Sequence, residues 1–221
     1  MENEQQNVER LNPWLHIWVK PRAVIRQELD KSNREKNFIL LAIIIGMLTA
    51  ITAYEQQSFG LNYGLMALIV LIGGPVLGII TLYFGSWINA VVGRWIGGVG
   101  RASDLRVSMV RGSMVPSLAT VAISLVDLLI RGEEYFVSVD TLVEVRGMNI
   151  LDMVTGGTPP ILVLLSVIAF IWLAVVNLKS IGEAHGFSAW MALLTGVIIA
   201  AILVIPFMIL GMIVAAFFIA I

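Results

Sequence analysis

Few side chains in this sequence could carry bond-making chemistry. Histidine occurs only at His16 and His185, cysteine is absent, and no His-Glu-x-x-His run puts two imidazoles one helical turn apart. Metal-activated water therefore has no obvious holder, and neither a thiolate nucleophile nor a disulfide is available. A Ser-His dyad would have to be assembled from residues flanking the apolar tracts, and no tract holds a pair of aspartates. The expectation is a protein that is not an enzyme and needs no cofactor or metal.

Three further features invite a chemical reading. The stretch Gly93-Arg94-Trp95-Ile96-Gly97-Gly98-Val99-Gly100-Arg101 is rich in glycine, but no Lys-Ser or Lys-Thr follows it and no parallel strand precedes it. A phosphate-binding loop is not expected there, and nothing points to a nucleic-acid partner. Asp127 is the only carboxylate plainly inside an apolar tract, which makes it a functional candidate by default because membrane carboxylates are costly. Arg131 lies one helical turn on, so a structural ion pair near the tract's outer end is the simpler expectation, ahead of a proton or ion relay. Asn89 and Asn177 are expected to act as interhelical hydrogen-bond partners.

The elements that position these residues follow from composition. Hydrophobic residues make up 58% of the chain and charged ones 13%, against about a quarter charged in soluble domains, so lipid is the expected solvent. Backbone amides find no water in hydrocarbon, and each long apolar tract should be a helix of about 20 residues. Five tracts qualify, giving an all-α polytopic membrane helix bundle. The first runs from about Phe38 to Ala53, the second from Leu61 to Val92 around Pro75, and the third from Leu105 to Ile130 around Pro116. Thr158-Pro159-Pro160 should open the fourth, with Thr158 as cap and Pro159 in the first turn; it should end near Ser180. The fifth reaches from Ser188 to Ile221 around Pro206. The second and fifth exceed one span, so tilting, kinking at proline or lying along the interface is expected. Gly60 and Gly64, Gly74 and Gly78, and Gly93 and Gly97 have the four-residue spacing that lets helices approach closely.

Residues 1–37 read as a polar arm without a cleavable signal peptide. Of the 14 basic residues, 12 fall on one side of a five-span arrangement: seven in the arm, Arg94, Arg101, Arg106 and Arg111 around the second connection, and Lys179 at the fourth. The connection at about 131–158 is acidic. The positive-inside bias puts the N-terminus in the cytoplasm, the C-terminus outside and the protein in a cytoplasmic membrane. In the arm, Asn12-Pro13 starts a helix with Trp14 and Trp18 four apart, followed by Lys20, Arg22 and Arg26. Tryptophan beside cations suits an amphipathic interfacial helix on anionic phospholipid. Asp104 offers a cap for the third helix.

Three stretches resemble the Yip family of Ypt/Rab-interacting membrane proteins, in its bacterial branch. They are Asn12-Pro13-Trp14 with Ile17-Trp18 and Pro21-Arg22, then Arg111-Gly112-Ser113-Met114-Val115-Pro116, then Leu178-Lys179 through Glu183-Ala184-His185-Gly186-Phe187-Ser188 with Trp190. The resemblance implies a five-span bundle with a cytoplasmic N-terminus. It associates the eukaryotic branch with Rab GTPases and vesicle traffic, and some bacterial members with export or defence against envelope-active toxins. The arm lacks an Asp-Leu-Tyr-Gly-Pro segment, and Arg111-Gly112-Ser113 stands where a Gly-Tyr pair belongs, which argues against a Rab-type partner.

The resulting expectation is a non-enzymatic adaptor or scaffold. Trp14, Trp18, Lys20, Arg22, Arg26, Arg94, Arg101, Arg106, Arg111, Lys179 and His185 would bind anionic lipid, a membrane-protein partner or a second copy, while Pro116, Asp127 and Arg131 serve structure. A small transporter or channel subunit with helices broken at Pro75, Pro116 and Pro206, and a toxin-immunity or envelope-stress protein, are the alternatives.

Overall fold

The computed structural model describes residues 10–53, 63–136 and 155–219, and these form helices and turns with no strand among the described residues. After one tight turn at His16–Trp18, helix α1 spans Pro21–Leu29; proline's fixed φ suits a first helical turn. Helix α2 covers Phe38–Ala53. Helices α3 (Gly64–Trp95), α4 (Ala102–Phe136) and α5 (Pro160–His185) are long and apolar enough to cross a bilayer, as is the first part of α6 (Ala189–Ile219). With the shorter apolar α2, this is a multi-pass membrane helix bundle. The first connection, around Glu55, and most of the acidic one, at 137–154, lie outside the described residues.

Three expected boundaries move. Helix α5 runs on past Ser180 to His185, where Gly186 takes a left-handed φ of 72° and ends it. It begins at Pro160 with Pro159 as the flanking residue, because Thr158 turns its hydroxyl away to Asp127. Helix α4 likewise starts earlier than Leu105. Asp104 sits three residues into it and accepts the Arg101 backbone N–H at 2.9 Å, a reach back from the first turn in place of a cap ahead of it.

The prolines do not break their helices. A wider π turn at Ile69–Gly73 precedes Pro75, and another at Val110–Met114 precedes Pro116. A proline ring clashes with the carbonyl four residues back, and the enlarged turn moves that carbonyl aside, so both helices continue. Helix α6 also runs through Pro206.

The close approach anticipated at Gly74 and Gly78 joins α2 to α3. A methyl on Gly78 would lie 2.0 Å from the Ala42 carbonyl oxygen, and one on Gly46 would lie 2.2 Å from that of Gly74, so hydrogen is the only side chain that fits. Beside this contact sits the main apolar cluster, where Ile17, Val24 and Ile25 of the arm pack on Phe38, Val107, Val110 and Val176. Full burial of such a side chain contributes about 1.5–3 kcal/mol. The apolar side of α1 is thus occupied by protein.

The arm clamp and the two ends of the bundle

The turns joining α3 to α4 and α5 to α6 lie together at one end, tied by the Val99 N–H donating to the His185 carbonyl at 3.1 Å. The arm is strapped across this end by ion pairs. Glu183 of α5 accepts Arg26 Nε at 2.7 Å and Arg22 Nη1 at 3.4 Å, and Arg22 Nη2 also donates to the Phe187 carbonyl at 3.2 Å. The hydrogen bond to Glu183 and then its charge raise the basicity of Arg26 above its ordinary value, so this arginine stays charged. Glu28 of α1 is 1% exposed and accepts both Arg111 Nε at 3.1 Å and Lys31 Nζ.

Arg111 projects from the π turn ahead of Pro116, with its guanidinium 5.6 Å from the Trp14 ring and 5.9 Å from the Phe38 ring. Farther along, Glu35 takes both prongs of Arg106 at 2.8 and 3.1 Å, and Arg34 meets Asp104 at 2.9 Å and the Ser103 hydroxyl at 3.0 Å. Trp18 donates its indole N–H to the Trp14 carbonyl at 3.0 Å, and Trp172 donates to the Trp18 carbonyl at 3.1 Å.

Four of the eleven residues singled out from sequence for the inner surface, Arg22, Arg26, Arg106 and Arg111, are therefore held by carboxylates of the same chain. Topology, read from lysine and arginine alone, does not reveal their partners Glu28, Glu35 and Glu183; acids interleaved among the bases are the available signal. Lys20, Arg94, Arg101 and Lys179 are exposed and hold no ion pair among the described residues. Around this end Trp95 is 66% and Trp190 79% exposed, with Trp14 and Val99 exposed as well.

His185 is buried, and the glycine-rich connection is built around it. Its Nδ1 accepts the Gly100 N–H at 3.2 Å, its Nε2 lies 3.2 Å from the Asn89 carbonyl, and its ring stacks on Phe187 at 4.8 Å. One nitrogen accepts, so the other must carry the proton, which fixes a neutral tautomer. A methyl on Gly93 or Gly98 would come within 2.3 to 2.4 Å of a ring atom. The glycines cradle an imidazole. Asn89 donates its amide to the Gly85 carbonyl of its own helix at 2.8 Å, and Asn177 Oδ1 has no hydrogen-bond partner among the described residues, so neither side chain makes the expected interhelical bond there.

At the opposite end Asp127 is 3% exposed. Its Oδ2 accepts the Thr158 hydroxyl at 2.9 Å and lies 3.8 Å from Arg131 Nε, an ion pair without a hydrogen bond. Arg131 instead donates to the carbonyls of Gly156 at 2.6 Å and Tyr135 at 3.0 Å and lies over the Tyr135 ring. It fastens the end of α4 to the turn before α5.

Nothing among curated proteins or solved structures matches this chain. The Yip1 domain model matches residues 15–212, from the arm through the greater part of α6. A match over that length, on a bundle of apolar helices, places the chain in the Yip1 domain family.

Proposed function

We propose that this protein is a non-enzymatic adaptor of a bacterial cytoplasmic membrane, with its N-terminus in the cytoplasm. It would hold anionic phospholipid, and through it a membrane-protein partner, at the arm-clamped end. The observation that carries this reading is the division of the cations. The arginines of the clamp are neutralised within the chain, whereas Lys20, Arg94, Arg101 and Lys179 are exposed and hold no ion pair among the described residues, at the end where Trp95 and Trp190 are also exposed. Free cations at headgroup depth, flanked by indole rings, suit phosphate-bearing lipid, at about 1 kcal/mol for each lysine or arginine near an anionic surface. Helices that stay continuous through Pro75, Pro116 and Pro206 favour an adaptor over a transporter built on broken helices.

The test is lipid co-purification from vesicles of phosphatidylglycerol diluted in phosphatidylcholine. Replacing Lys20, Arg94, Arg101 and Lys179 together by glutamine should abolish phosphatidylglycerol enrichment while the helical signal is kept. Unchanged enrichment would overturn the assignment.

A further inference from the structure

At the end away from the arm, a cavity of about 370 Å³ opens between α4 and α5, within the roughly 300–1,000 Å³ range of small-molecule sites. Asp127, Ser124, Thr158 and Ser166 supply the polar groups of its lining. Ile123, Val163, Val167 and Phe170 supply its apolar lining, and the last two are exposed on the outer surface of α5. Asp127 Oδ1 is buried and has no hydrogen-bond donor among the described residues. An ionised carboxylate can accept about four hydrogen bonds, and the described residues give this one a single bond, from Thr158. A buried acceptor left unmade is costly, which favours a donor arriving from outside the chain.

The charge around the cavity narrows what that donor can be. Arg131, 3.8 Å from Oδ2, already offsets the Asp127 charge. A full cation entering beside Oδ1 would face a guanidinium in low dielectric. A hydroxyl does not, and it can donate to Oδ1 while accepting from serine. No hydrogen bond engages the Ser124 and Ser166 hydroxyls among the described residues. From this geometry we infer that the α4–α5 cavity binds an uncharged amphiphile with a hydroxyl head, such as a diacylglycerol, its head on Asp127, Ser124 and Ser166 and its chain along Val167 and Phe170. This site is separate from the cationic rim and does not depend on the adaptor reading.

The probe is a diacylglycerol carrying a photoreactive group on one chain, presented to the full chain in phosphatidylcholine nanodiscs. Label should concentrate on peptides around Ile123 and Phe170, and unlabelled diacylglycerol should compete. Asp127→Leu and the cavity-filling Ser166→Phe should each lower labelling about fivefold, or roughly 1 kcal/mol. Thermal unfolding reports whether each variant folds, and if Asp127→Leu does not, Ser166→Phe decides alone. Label spread evenly over the helices, or unchanged in a folded Ser166→Phe, would refute the site. Equal competition by phosphatidylethanolamine would refute the uncharged hydroxyl head.

Discussion

Each end of the bundle holds an acid and a base withdrawn from solvent, and the two pairs are built differently. Glu28 and Arg111 come from elements 83 residues apart, joined by a 3.1 Å hydrogen bond, with Lys31 adding a second donor to the carboxylate. Asp127 and Arg131 are neighbours one turn apart on a single helix, 3.8 Å from each other, and each spends its hydrogen bonds elsewhere. The first pair joins the arm to the bundle. The second leaves a carboxylate oxygen unused. Proximity in sequence produced the looser pair, because a helix dictates where its side chains leave the backbone, whereas tertiary packing can adjust two separate elements until donor and acceptor meet.

The largest effect should come from removing one member of the tight pair. In Glu28→Ala, Arg111 would stay buried opposite a methyl group, and an uncompensated buried charge costs about 3–5 kcal/mol. Thermal unfolding in detergent should show the loss, and limited proteolysis should show the arm released. Adding Arg111→Leu should recover most of the stability, since an apolar replacement of both partners removes the stranded charge. A Glu28→Ala protein of unchanged stability would mean that the two pairs do not differ in kind.

His185 sharpens the comparison at the clamped end. Burial disfavours a charged ring, and protonation would also put an Nδ1–H against the Gly100 N–H, so the fold favours the neutral ring. The unfolded chain then takes up a proton more readily, near the ordinary histidine value of about 6.5. Stability is complete above that pH and falls as pH drops below it, by at most roughly 1.4 kcal/mol per pH unit. Unfolding followed from pH 8 downward should reveal this slope, and His185→Gln should flatten it. An equal slope in both proteins would assign the pH response to another group.

What could be read beforehand follows the same division between local and distant. The apolar tracts, the pair of glycines between α2 and α3 and the Asp127–Arg131 neighbourhood depend on spacing along one helix, and spacing is written in the chain. The engagement of Arg22 and Arg26 by Glu183, of Arg106 by Glu35, and of the glycine-rich connection by His185 depends on which helices pack together. A positive-inside count treats those arginines as an open surface because it assigns each residue to a side and never to a partner. The end of α5 lies beyond the expected Ser180 for a related reason. Ser180 and Lys179 look like the close of an apolar tract, yet helical bonding outlasts hydrophobicity until Gly186 supplies the left-handed turn.

The smallest effects should separate the members of the loose pair. Arg131 holds the Gly156 and Tyr135 carbonyls through its planar fork, and Arg131→Lys keeps the charge while losing that geometry. Buried carbonyls left without donors cost about 1–3 kcal/mol. Asp127→Asn retains an acceptor for the Thr158 hydroxyl and loses only an ion pair that has no hydrogen bond, so about 1 kcal/mol or less is expected. If the two residues acted mainly as an ion pair, Arg131→Lys, which keeps the charge, would cost less than Asp127→Asn, and their effects would not add in the double variant. If Arg131 acts on the turn and Asp127 on the cavity, Arg131→Lys should cost more, and the two losses should add to within about 0.5 kcal/mol. A double-variant cycle by thermal unfolding in detergent decides between them, and strong coupling would return Asp127 to a structural role.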